Sequence, residues 1–79
     1  MDIELAREVV RTAFRSSAEL QALLPMLRQR CNAQEYQTYA LGIAAAIDAI
    51  GRRVTNRALA AHPGLAGEIE SSLERQERF

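Results

Sequence analysis

Cys31 lies in the chain beside Arg28 and Arg30. Nearby cations stabilise a thiolate, so this is the residue whose setting could make a nucleophile. The simpler reading is that Cys31 closes an apolar helical seam and packs as a small hydrophobe. His62, immediately before Pro63, could act as a general base or ligand, but no nucleophile or carboxylate neighbours it in sequence. A histidine at a helix C-terminus interacting with the helix dipole accounts for it more simply. Tyr36 and Tyr39 could line a small-ligand pocket or stack a base, yet their spacing suits the core near a turn, with a hydroxyl reaching the rim.

Two arginine sets could meet phosphates. Arg7, Arg11 and Arg15 recur at i,i+4, and Arg52, Arg53 and Arg57 form a second cluster. Glu4 and Glu8 interleave with the first set, and mixed charge of that kind describes a solvated face better than a phosphate track. Glu4, Glu8, Glu19, Glu35 and Asp48 lack the Glu-x-x-His spacing of bundle-core di-iron sites. The chain also has no glycine-rich phosphate loop, zinc-ligand spacing or activated serine constellation. No catalytic, cofactor-binding or metal residue is therefore expected, and the chain reads as not an enzyme.

The composition fits that reading. Seventy-nine residues carry ten arginines, no lysine and ten carboxylates, for a formal net charge of zero, and 48% of the residues are apolar. This is one small globular domain, residues 1–79, too apolar for intrinsic disorder and too neutral for a general polyanion binder. A single cysteine and a single histidine exclude an internal disulfide and a complete Cys/His zinc site. Chains of this size then depend on regular helix packing or on a partner chain. The N-terminus shows no basic n-region or apolar h-region, and the longest weakly polar run, Tyr39 to Ile47, is about half of what a membrane span needs. The expected location is cytoplasmic.

Helical periodicity organises the chain. Ile3, Ala6, Val10, Ala13, Ser17, Leu20, Leu24, Leu27 and Cys31 alternate steps of three and four, the spacing of a helical seam. Val9, Phe14 and Leu23 widen it. Ser16 and Ser17 could cap a new helix near Ala18, but Pro25 would still fall inside that helix, so one helix bent near Pro25 is expected. Arg28 and Arg30 suit its last turn. Asn32 and Glu35 then fit a capping box, and a turn this short makes the next helix antiparallel to the first.

The second helix carries the stripe Tyr36, Tyr39, Ala40, Ile43, Ile47, Ile50, Val54, Ala58 and Ala61. Leu41, Gly42, Ala45, Ala46 and Ala49 lie away from it, so between Tyr39 and Ile50 the helix is apolar or small almost all round. One partner helix covers one side only. The face formed by Leu41, Gly42, Ala45 and Ala49 therefore calls for a second partner, as do the mid-helix glycines Gly42 and Gly51. Asp48 and Arg52 are placed for an i,i+4 pair. His62-Pro63-Gly64 stops the helix, and Leu65, Ile69, Leu73 and Gln76 mark a short amphipathic helix with acids early and Arg75 and Arg78 late.

The segment Cys31 to Tyr39, with Gly42 and Ala61-His62-Pro63-Gly64-Leu65, resembles a group of small, uncharacterised bacterial all-helical hairpin proteins. They share a Cys, a capped Glu-aromatic-x-x-Tyr helix start, a glycine shortly after and a His-Pro stop. The resemblance covers the middle of the chain; Pro25 and the charged extension after Leu65 depart from the pattern. It implies the hairpin fold and supplies no catalytic residue.

The expected architecture is all-α: an antiparallel hairpin over about 2–30 and 33–62 and a short helix over about 65–77, dimerising into a four-helix bundle. The expected role is a non-catalytic interaction or regulatory module, most simply a homodimer, with another protein as the other possible partner and no membrane or cofactor. The alternatives are a helical RNA- or DNA-binding regulator using the six arginines, and an enzyme or small-ligand binder that depends on Cys31.

Overall fold

A computed structural model describes residues 1–75 and 79 of the chain, and every element in it is helical. Helix α1 spans Ile3–Arg30 as one run of 28 residues. Asp2 starts it by accepting a hydrogen bond from the Leu5 backbone N–H at 2.8 Å. Helix continues on both sides of Pro25, which is exposed together with Gln21, so the carbonyl deprived of its donor can turn to water.

The joint between the first two helices follows the capping logic. Asn32 Oδ1 accepts from the Glu35 backbone N–H at 2.8 Å, and the Asn32 N–H donates to Glu35 Oε1 at 3.2 Å. These two bonds satisfy donors that a helix start leaves open. Helix α2, Ala33–Ile50, begins there. It passes without a break into a π-helical turn, Gly51–Thr55, and on into α3, Asn56–Ala61. The Asn56 N–H reaches back to the Gly51 carbonyl, the five-residue step that defines the wider turn.

That wider turn corrects the expected stripe. One extra residue rotates the downstream side chains by about 100° relative to a regular helix. Val54 is left 40% exposed and Thr55 turns inward in its place and is buried, while Ala58 is buried as expected. Ala61 and Tyr39, also expected inside, are exposed. Ala40, Ile43, Ile47 and Ile50 keep their expected side, with Ile43 buried and the others half-buried.

Helix α4, Gly64–Glu74, comes after a two-residue corner at His62 and Pro63. It begins within a residue of the expected position. The expected end near 77 and the placements of Gln76 and Arg78 fall outside the described residues. Within α4, Leu65 is fully buried, Ile69 half-buried and Ser72 buried, so the docking line is i, i+4, i+7. Leu73, expected on that line, is 67% exposed.

The tight core lies at one end of the molecule. Ala6 and Val10 of α1, Ala58 of α3 and Leu65 of α4 form a fully buried cluster, with Val9, Leu59, Ile69 and Phe79 packed against it. Three helices meet here, and small side chains let them approach. At the other end the hairpin has only two helices. Leu20, Leu24 and Leu27 keep the predicted seam but are half-buried, because a single helix cannot enclose a neighbour's stripe. The Cα radius of gyration is 15.0 Å, against about 12 Å for a compact domain of this length.

Candidate functional site

Two surfaces emerge on opposite sides of α1. The first is a polar cleft between α1 and α4, lined by Arg7, Arg11, Glu68, Ser71, Ser72 and Phe79, among others. Arg7 grips Glu68 at two points: Nε to Oε2 at 3.1 Å and Nη2 to Oε1 at 2.8 Å. Its remaining nitrogen, Nη1, bonds Glu4 Oε1. The hydrogen bonds from Arg7 hold the Glu68 carboxyl below its ordinary range, and the same bonds raise the Arg7 guanidinium above its own. Arg11 Nε donates to the Phe79 main-chain oxygen at 2.9 Å, and its guanidinium lies 5.5 Å from the Phe79 ring centroid. Phe79 also meets Phe14 edge-on at 6.2 Å. Arg7 and Arg11 are thus turned on the protein's own anions and on a ring.

The six candidate nucleic-acid arginines divide accordingly. Arg7 and Arg11 fasten the C-terminal part of the chain to α1, Arg15 stands 3.9 Å from Glu8, and Arg52 pairs with Asp48 at 2.7 Å as the i,i+4 spacing predicts. Arg53 and Arg57 are exposed. What α1 and α4 bring together is a clamp of opposite charges rather than a basic track.

The other singled-out residues take structural positions. Cys31 is half-buried and caps α1, its backbone N–H donating to the Leu27 carbonyl at 2.9 Å. Arg28 lies over the Tyr36 ring at 5.1 Å, a cation–π contact across the hairpin turn. Tyr36 is half-buried as expected at the turn; Tyr39 points outward. The His62 ring contacts the Met1 carbonyl oxygen through Nε2 at 2.9 Å. A carbonyl only accepts, so this bond places the proton on Nε2, and the ring ties the chain start to the α3–α4 corner. Among the described residues, no group of three or more His, Cys, Asp or Glu is placed to hold a metal ion. No buried side-chain nitrogen or oxygen among them lacks a hydrogen-bond partner.

The second surface is apolar. A groove between α1 and the Ile50–Val54 stretch is lined mainly by Leu5, Val9, Thr12, Ala13, Ile50 and Val54. Beside it lies the Leu41, Gly42, Ala45 and Ala49 face. Leu41 is 65% exposed, Gly42 and Ala45 are exposed and Ala49 is half-buried. A Cβ built on Gly42 or on Gly51 would meet nothing within 4 Å. The close backbone approach expected at these glycines is therefore not made within the chain.

Periodicity carried a signal for the groove: Leu5 and Leu23 stand five full helical turns apart and so share one line of α1. Val54 could not be placed from spacing, because nothing in the residue types announces the π turn. Glu68 and Phe79 had no sequence signal as partners of Arg7 and Arg11; a contact across so long a separation is set by docking.

No family model matches the chain, and neither a curated protein nor a solved structure matches it. No helix of the described residues is long and apolar enough to cross a membrane.

Proposed function

We propose that this chain is a non-catalytic protein-interaction or regulatory module that acts in the cytoplasm as a homodimeric helical bundle. The observation that carries the reading is surface. The chain exposes 5980 Å², whereas a folded monomer of 8.8 kDa exposes about 4,800 Å². The excess, on the order of 1,200 Å², exceeds the roughly 800 Å² per partner of a standard interface. In keeping with it, Leu20, Leu24 and Leu27 of the hairpin, covered by one helix only, are half-buried. A second hairpin laid against the first supplies the missing neighbours, and the Leu41, Gly42, Ala45 and Ala49 face is small enough for close helix approach.

The non-catalytic part of the reading rests on how the polar residues are used. Arg7, Arg11, Glu68 and His62 are each bonded within the chain in ways that hold elements together. Sedimentation equilibrium or light scattering across the micromolar range tests the dimer. The expected mass is twice that of the chain, with Ala45→Arg shifting it toward one. A wild-type chain that stays monomeric and cooperatively folded at high micromolar concentration overturns the reading.

A further inference from the structure

The groove lies on the side of α1 opposite α4. Helix α4 and Phe79 engage α1 through Arg7, Arg11 and Phe14, whereas the groove uses Leu5, Val9 and Thr12. On a wheel of 100° per residue these two sets fall on opposing arcs. The groove's line continues toward the hairpin turn through Ser16 and Leu23, and Leu5 and Leu23 are 53% and 42% exposed. On the facing helix Ala46, Gly42 and Tyr39 extend the edge begun by Ile50. Among the described residues, Glu8 is the only charged one lining the groove.

We infer that a second copy of this chain seats along this face, with the groove at the centre of the interface and the Leu41–Ala45 ridge at its margin. The inference rests on the homodimer reading and specifies its seam. Two features select a second copy as the occupant. The surface excess is large enough to include the roughly 800 Å² per partner that a standard interface removes, and the groove is mostly apolar, with Thr12 and Ser16 its uncharged polar residues, so it can be self-complementary across a two-fold axis. Gly42, which has open space around it, lies on this face, where an approaching backbone would occupy that space.

Thr12→Glu and Ser16→Glu test it, since both sites lie along the groove and a two-fold axis introduces each new charge twice. In sedimentation equilibrium each variant is expected to raise the dimer dissociation constant about a hundredfold or more. Far-UV circular dichroism should show unchanged helix content, because Thr12 is exposed and Ser16 only half-buried. Ala45→Arg is the comparator. If Thr12→Glu and Ser16→Glu both remain dimeric while Ala45→Arg dissociates, the seam is the ridge and the groove assignment is overturned, with the homodimer reading intact. If the wild-type chain is itself monomeric, the homodimer reading fails and the seam fails with it.

Discussion

Arg7 and Glu68 stand sixty-one residues apart and meet in a two-point ion pair, 2.8 Å at its shorter contact. This pair ties α4 to α1 at the three-helix end, and Glu4 supports Arg7 from the same helix. The Glu68 carboxyl is held below its ordinary value of 4.5 by hydrogen bonding from Arg7. Because the folded state then binds fewer protons than the unfolded one, the pair's contribution is present above pH 4.5 and fades as pH falls through the depressed value. For Arg7 the hydrogen bonds to Glu68 shift the guanidinium further upward, so its loss belongs to extreme alkali. Amide exchange protection in α4, taken relative to the intrinsic rate at each pH, is expected to fall as pH drops below 4.5, and Glu68→Gln is expected to show reduced α4 protection already at pH 7 with little further pH dependence. Equal exchange in α4 for the two proteins at pH 7 would refute the clamp.

Phe79 anchors the end of the chain through Phe14 and Arg11. A double-mutant cycle with Phe14→Leu and Phe79→Leu should give a coupling of about 0.5–1.5 kcal/mol beyond the area each ring covers. Urea denaturation of the four chains measures it. Additive effects would mean that the two rings contribute independently.

Leu65 and Leu73 lie on different sides of α4, although periodicity alone groups them. Leu65→Ala removes a fully buried side chain from the cluster with Ala6, Val10 and Ala58 and should cost about 2–5 kcal/mol. Leu73→Ala, at an exposed site, should stay within about 0.5 kcal/mol. Thermal melts of the two variants decide it; comparable losses would mean that α4 is rotated from the orientation described.

Gly42 lies mid-helix with open space where a side chain would be. Placed in the Ala45→Arg chain, so that contacts between copies are not read, Gly42→Ala should raise stability by about 1 kcal/mol through helix propensity. In the otherwise wild-type chain the added methyl should instead weaken self-association, because it enters the proposed seam. Chemical denaturation measures the first effect and sedimentation the second.

Much of this protein was legible along the chain because its signals are local. The Asn32–Glu35 box, the Asp48–Arg52 pair, the His62-Pro63-Gly64 stop and the seam from Ala6 to Cys31 each depend on residues within a turn or two of one another. Backbone geometry therefore dictates them before any packing occurs. The expected exposure of the Leu41, Gly42 and Ala45 edge arose in the same way, from one helix having more apolar surface than one neighbour can cover.

Folding in three dimensions settled three other matters. Whether α2 continues with a regular turn at Gly51 or widens there depends on how Thr55 and Ala58 fit against α1, and that one-residue difference turned Val54 outward. The rotation of α4, which buries Ser72 and exposes Leu73, is set by the Arg7–Glu68 clamp and the Leu65 pocket. The side on which α4 docks then decides which flank of α1 remains bare. In each case several rotations satisfy the local pattern equally well, and contacts between residues far apart in the chain select one of them.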